Sequence, residues 1–233
     1  MIYNNILELV GNTPLVKINK LNPNPQVTLL AKLEFFNPGG SIKDRIGLTM
    51  IESAEKNKKI LKSNVIIEAT GAGNTGLGLA MTAAVKGYKT ILVIPDKVSE
   101  EKRNLLRAYG AKVVVTPTAV PPEDERSYYK VTEKLVKETP KAFQPNQYFN
   151  PNNPKAHFMT TGPEIWKETG GKVTHVVIGM GTGGTITGIG KFLKKKNPKI
   201  KIIGVDPIGS IFYQYFKTGK YPKSLKTWKM EGI

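Results

Sequence analysis

Not one of the 233 residues is cysteine, which excludes disulfides, thiolate metal sites and any cysteine nucleophile. Histidine is almost as scarce. His157 and His175 are the only two, too few and too widely separated for a metal site, and each reads as a packing or surface residue. No stretch approaches the ~20 consecutive apolar residues that a membrane span requires, so no membrane partner is expected. The opening MIYNNILELVGNTPLV lacks the basic start and apolar run of a secretory leader. A cytoplasmic protein is therefore expected. Acidic residues are also in short supply: 18 Asp and Glu face 35 Lys and Arg, giving a formal charge of +17. Such an excess attracts phosphates, anionic substrates or nucleic acid over a long range. Its densest run is Lys191, Lys194, Lys195, Lys196, Lys199 and Lys201, with Phe192 as the one interleaved aromatic. Lysine rather than arginine, with so little aromatic surface, reads as a solvated helix end, and nucleic acid is not the expected partner.

With 39% hydrophobic residues, the chain can bury a sizeable core as one large domain or two small ones. Short runs rich in Val, Ile and Leu alternate with helical patterns, the signature of an α/β fold with a mainly parallel sheet. Strands are expected over 27–35, 64–69, 90–94, 112–116, 175–179 and 200–205, and their continuous apolar character suits strands covered on both faces. Helices are expected over 44–58, 75–86, 99–109, 124–138, 154–168 and 185–196. The Pro- and Asn-dense segment QPNQYFNPNNP, 144–154, marks a junction between two α/β units.

Two glycine-rich turns and one lysine carry the chemistry. In HVVIGMGTGGTITGIGKFL a strand runs into Gly181, Thr182, Gly183, Gly184 and Thr185, and a helix follows. Unobstructed backbone N–H groups at a helix start form an anion site, suited to a phosphate; a simple tight strand-to-helix turn is the competing reading. No Gly-Lys-Ser/Thr ending is present, as a triphosphate loop would need. Gly179, Gly181 and Gly184 do spell GxGxxG, but the only candidate ribose acid, Asp206, lies in an Asp-Pro-Ile-Gly turn, so a dinucleotide site is a weak reading. In EATGAGNTGLGLA, Thr70, Asn74 and Thr75 set short polar donors beside open amides, as a carboxylate needs. An ordinary helix capped by Asn74 or Thr75 is the alternative. In NPGGSIKDRIG, Lys43 stands where a loop enters a helix. The positive helix end favours a neutral, nucleophilic amine there, against the alternative of one more solvated lysine.

The run of motifs GNTPLV from Gly11, NPGGSIKDR from Asn37, EAT then GNTG from Glu68, SEEKRNLLRAYGA from Ser99, NQYFNPNNP from Asn146, TTGPEIW from Thr160, GTGGTITG from Gly181 and GVDPIGS from Gly204 resembles fold-type II enzymes that use pyridoxal 5'-phosphate (PLP). Within them the resemblance is to the cystathionine β-synthase and cysteine synthase family, and it extends over essentially the whole chain. It implies that Lys43 binds PLP as a Schiff base and later moves protons at the substrate α-carbon. The loop of Gly181, Thr182, Gly183, Gly184 and Thr185 matches the phosphate cup. Asn74 matches the asparagine near the pyridine 3'-oxygen, while Thr70, Ala72, Asn74, Thr75 and Gln147 fall on the groups that hold the substrate α-carboxylate.

The activity implied is replacement of the β-substituent of serine or an activated serine by a thiol. Tyr148, GVDPIGS and the MEGI ending resemble cystathionine β-synthases, which join L-serine to L-homocysteine. A cysteine synthase using O-acetylserine and sulfide, a serine or threonine dehydratase, and a catalytically impaired or non-enzymatic homologue are the competing expectations. The family is usually homodimeric. Its layout implies a large PLP-phosphate-binding domain from 1–43 and 149–233 and a small substrate-carboxylate-binding domain from 44–148. Two departures stand out. EATGAGNTG holds one residue more than the family's spacing, at Gly71 or Ala72, which is expected to disturb the carboxylate donors. Relatives also continue past Ile233 with a glycine-serine turn that meets the pyridine nitrogen, so the large domain is expected to be incomplete.

Overall fold

The structure, a computed structural model, describes residues 2–222; the MEGI ending lies outside the described residues. Strands β1 (Leu15–Lys17) and β2 (Leu30–Lys32) form an antiparallel pair. Strands β3 (Val65–Ala69), β4 (Lys89–Pro95), β5 (Lys112–Thr116) and β6 (Ala142–Phe143) form a parallel sheet in the order β5-β4-β3-β6. A second parallel pair joins β7 (His175–Gly179) to β8 (Lys201–Val205), with His175 opposite Lys201 and Gly179 opposite Val205. The helices are α1 (Lys43–Lys56), α2 (Asn74–Lys86), α3 (Glu100–Ala108), α4 (Tyr128–Glu138), α5 (Asn152–Met159), α6 (Thr161–Glu168), α7 (Gly184–Lys196) and α8 (Phe212–Thr218). Among the described residues no helix is long and apolar enough to cross a membrane. The lysines ending α7 are exposed beside its last carbonyls, where the helix dipole favours them.

The core explains the α/β alternation. Ile46, Met50 and Ile51 of α1 meet Leu79 and Ala83 of α2, Ile66 of β3 and Ala156 of α5 in one buried cluster. A second cluster joins Leu77 and Ala80 of α2 to Leu92 and Ile94 of β4 and Leu106 of α3. Helix α2 thus faces two clusters, and nearly all of its residues from Thr75 to Ala83 are buried. Each buried Leu or Ile contributes about 1.5–3 kcal/mol. A third cluster, Ile165, Ile189, Leu193 and Ile200, holds α6, α7 and the entry to β8 together.

Arg45 binds three elements together. Its guanidinium meets Glu34 at 2.7 Å and Glu164 at 2.6 Å, and Lys32 reaches Glu164 at 2.9 Å and Glu168 at 2.7 Å. The N-terminal strands, α1 and α6 therefore share one charge network.

Several expectations change. The helix expected over 154–168 is two helices broken at Thr160, whose φ is −124 and ψ −73. Pro163 explains the break: in a continuous helix its ring would clash with the carbonyl of Met159, whereas in the first turn of α6 its missing N–H costs nothing. The strand expected over 27–35 shrinks to β2, because Glu34–Phe36 is a 3-10 turn closed by Asn37, whose amide donates to the Glu34 carbonyl at 2.8 Å. Strands β3 and β4 are buried as expected, but β7 and β8 are not covered on both faces among the described residues. Val177, Ile203 and Val205 remain 63%, 43% and 46% exposed.

Candidate functional site

The two glycine-rich turns have one geometry. After β3 the chain passes Thr70 and bends through 71–73 into α2; after β7 it passes Met180 and bends through 181–183 into α7. Each helix is entered from a left-handed glycine, Gly73 at φ 79 and Gly183 at φ 78, a conformation that side-chain-bearing residues rarely adopt. This removes the alternative of a helix capped by Asn74 or Thr75: Gly73 is the N-cap of α2, and no side chain bonds across it. Consequently the backbone N–H groups of 71–75 and 181–186 meet no acceptor among the described residues. Both turns present several open amides at a helix start, the arrangement that holds an anion.

Thr70 and Thr75 lie buried in the first turn, where Thr70 Oγ1 accepts from the Gly76 N–H at 3.4 Å and Thr75 Oγ1 donates to Gln147 Oε1 at 2.6 Å. Gln147 Nε2 in turn reaches the Ala69 carbonyl at 3.4 Å. Gly71 lies against the Tyr128 hydroxyl, and the Ala72 carbonyl accepts from Lys102 Nζ at 3.2 Å. The Asn74 side chain, half-buried, has no hydrogen-bond partner among the described residues. The loop that brings Gln147 here is pinned from beneath by Glu68, which accepts the N–H groups of Asn146 at 2.7 Å and Gln147 at 3.0 Å. Burial raises the Glu68 carboxyl to about 7 against these two bonds.

Lys43 opens α1, and α1 lies on α2 without a gap. A Cβ on Gly47 would meet the Gly78 carbonyl carbon at 2.5 Å, and one on Gly78 would meet the Lys43 carbonyl oxygen at 2.7 Å. This close approach sets Lys43 one turn from the amide cluster of α2. Its amine has no ion-pair or hydrogen-bond partner among the described residues, and burial lowers its pKa to about 8. Burial is the cause the structure shows, and Lys43 also stands at the first position of α1, the helix end to which the sequence pattern pointed. Asp44 next to it faces away, accepting the Gly39 N–H at 2.6 Å and fixing the preceding loop.

Two residues that carried no functional expectation support the second turn from below. Asn153 and His157 stand four apart on α5, hence on one face. Asn153 Nδ2 donates to Thr182 Oγ1 at 2.9 Å and to the Gln147 carbonyl at 2.9 Å. His157 lies between Thr161, at 3.0 Å from Nδ1, and Thr185, at 3.2 Å from Nε2. Desolvation, with the nearby positive charges of Lys43 and Arg45, pushes His157 down to about 3. It is neutral at any ordinary pH, donating from one nitrogen and accepting at the other. Of the packing and surface roles expected, His157 has the packing one. The i, i+4 spacing of Asn153 and His157, continued to Thr161, was the available signal in the sequence.

The donor set suits one kind of guest. The open amides of 181–186 with the Thr182 and Thr185 hydroxyls suit a phosphate, the open amides of 71–75 suit a carboxylate, and an unpaired amine near 8 suits a carbonyl carbon. Among the described residues no group of three metal-ligating side chains exists.

Comparison with known proteins agrees with these features. The family described as "Pyridoxal-phosphate dependent enzyme" matches residues 6–233. A cystathionine beta-synthase of Dictyostelium discoideum is 46% identical over 237 residues, covering 100% of this chain and 46% of that protein. The chain thus spans about half the length of the curated relatives it matches. Among solved structures, a hydrogen sulfide-producing enzyme from Fusobacterium nucleatum superimposes with a TM-score of 0.88 at 44% identity, covering 100% of this chain and 72% of that one. An O-acetylserine dependent cystathionine beta-synthase from Helicobacter pylori gives 0.89 at 40% identity, covering 100% and 73%.

Proposed function

Since the chain belongs to the pyridoxal-phosphate dependent enzyme family, we propose that Lys43 attaches PLP and that the site replaces the β-substituent of serine or an activated serine with a thiol. The observation that carries the reading is the buried Lys43 amine, unpaired among the described residues, on a helix that closes directly on the helix opened by one open-amide turn. When bound, PLP supplies the electron sink that makes the substrate α-proton acidic.

The chain's own residues do the rest. Gly181, Thr182, Gly183, Gly184 and Thr185 hold the cofactor phosphate through their N–H groups, with the two hydroxyls oriented by Asn153 and His157. Asn74, whose side chain has no hydrogen-bond partner among the described residues, would hold the 3'-oxygen of the pyridine. Thr70, Ala72, Thr75 and Gln147 hold the substrate carboxylate. Lys43 takes the proton from the α-carbon and returns it after the thiol has added, a double duty that a pKa of about 8 suits near neutrality.

The favoured reaction is L-serine with L-homocysteine giving L-cystathionine, because the curated relatives carry the name cystathionine beta-synthase. A second donor, O-acetylserine, is favoured by the Helicobacter pylori structure, whose description names it; with sulfide as acceptor the same site would make cysteine. The reading places the carboxylate-binding residues in a small domain of 44–148 and the phosphate cup in a large one of 1–43 and 149–233. It also carries a cytoplasmic homodimer.

The test mixes purified protein with PLP and follows the visible absorption band of covalently attached cofactor, in the native chain and in Lys43→Ala. The band is expected in the first and absent from the second; attachment retained in Lys43→Ala refutes the assignment. Product analysis with serine or O-acetylserine, each paired with homocysteine or sulfide, then selects the reaction.

A further inference from the structure

Asn153 touches both halves of the site at once, through the same nitrogen. Its Nδ2 donates at 2.9 Å to the Gln147 carbonyl and at 2.9 Å to Thr182 Oγ1. Gln147 continues the path, since its Oε1 accepts from Thr75 at 2.6 Å. An unbroken line of hydrogen bonds therefore runs from the turn after β3 to the turn after β7. Asn153 is only 2% exposed, and its Oδ1 is buried with no hydrogen-bond partner among the described residues. It abuts Gly184 so closely that a Cβ there would land on Oδ1. A side chain held this tightly, with one polar atom unsatisfied, is costly unless its position serves the site.

We propose that Asn153 is a positioning residue that couples the carboxylate-binding turn to the phosphate-binding turn. The inference rests on the reading of the two turns given above. A carboxylate seated on Thr75 and Gln147 holds the Gln147 side chain and so tightens further the main chain that Glu68 pins; through Asn153 this fixes the Thr182 hydroxyl in the orientation a phosphate needs. Ordering done by the first anion need not be repeated by the second, so each strengthens binding of the other, and by linkage the effect is reciprocal.

The test measures the PLP dissociation constant of the full chain with and without saturating propionate, which offers a carboxylate but no amine to join the cofactor. In the native chain propionate is expected to tighten PLP about 5-fold or more, the lower range of such couplings. In Asn153→Ala the ratio falls to about one while PLP still attaches at Lys43. Asn153→Asp is nearly isosteric and guards against misfolding of the alanine variant. Thr182 can reverse its hydroxyl to donate to Asp, but the bond to the Gln147 carbonyl is lost, so the ratio again falls to about one. A ratio retained in Asn153→Asp, or absent from the native chain, overturns the coupling. Failure of the native chain to attach PLP at all overturns the cofactor reading and this inference with it.

Discussion

Arg45→Met is expected to cost the fold about 3 kcal/mol. The Arg45 side chain is 1% exposed and is held between Glu34 and Glu164, themselves 16% and 12% exposed. It forms a fork with each: Nε and one terminal nitrogen reach Glu34 at 2.7 and 2.8 Å, and both terminal nitrogens reach Glu164 at 2.6 and 2.7 Å. Methionine fills the same space with no charge, so the loss comes from two carboxylates left facing one another in a poorly solvated place. Removing one partner of a buried pair costs about 3–5 kcal/mol. Titration gives a similar figure. Burial alone would raise Glu164, yet the bonds from Arg45, then Lys32 and the Asn12 N–H, hold it at about 2 against an ordinary 4.5. That depression is worth about 3 kcal/mol at neutral pH, of which Lys32 retains a share in the variant. Because the folded pKa is depressed, the stability is fully present above pH 4.5 and is lost as pH falls toward 2. At neutral pH the urea midpoint should drop by about 1–1.5 M for a chain of this size. Below pH 4.5 the gap between native chain and variant should narrow. A loss under about 1 kcal/mol, or a gap unchanged down to the acid transition, would refute the argument.

What the sequence disclosed follows from what decides each feature locally. The strands at 112–116 and 175–179 have the predicted bounds because β-branched runs end at Gly, Thr or Pro on either side. Both glycine turns were legible because glycine is one of the few signals whose backbone consequence is nearly unique. Their detail was not: Asn74 and Thr75 are good caps by residue type, yet a left-handed Gly73 displaces them into the first turn, where Thr75 bonds to a residue 72 positions away. Pro163 fixed the break at Thr160 by its own sterics, whereas tertiary pairing with β3 decided the two-residue strand β6. The lowered pKa of Lys43 was foreseen in direction from the helix end; the contribution of burial was not, because no local pattern reveals that α1 closes on α2 at Gly47 and Gly78. Asn153 and His157 drew no functional expectation because the helix expected over 154–168 begins after Asn153, and only the face they share on α5, which starts at Asn152, brings them together.

Two further perturbations test the site. The rate at which cofactor-free protein attaches PLP should rise with pH through about 8 and level off above it, because neutral amine is the reacting form and burial holds Lys43 near 8 instead of 10.5. A rise that continues beyond pH 10 would show an ordinary solvated lysine. A glycine series separates backbone strain, overpacking and function, read by urea midpoint and PLP dissociation constant together. Gly40→Ala meets nothing within 4 Å and suffers only its φ of +81, so it should lose about 1–2 kcal/mol, and any weakening of PLP should stay below that of Gly184→Ala. Gly188→Ala drives a methyl into the Pro154 carbonyl, backbone that cannot yield without parting α5 from α7, and should be the least stable of the three. Gly184→Ala meets instead the Asn153 amide, which can swing away, but only by surrendering its bonds to Gln147 and Thr182. It should therefore be more stable than Gly188→Ala, yet bind PLP at least 10-fold more weakly than the native chain, each lost hydrogen bond being worth about 1 kcal/mol. If Gly184→Ala binds PLP as the native chain does, the Asn153 amide is not what orients the Thr182 hydroxyl, and the phosphate is held by the backbone amides alone.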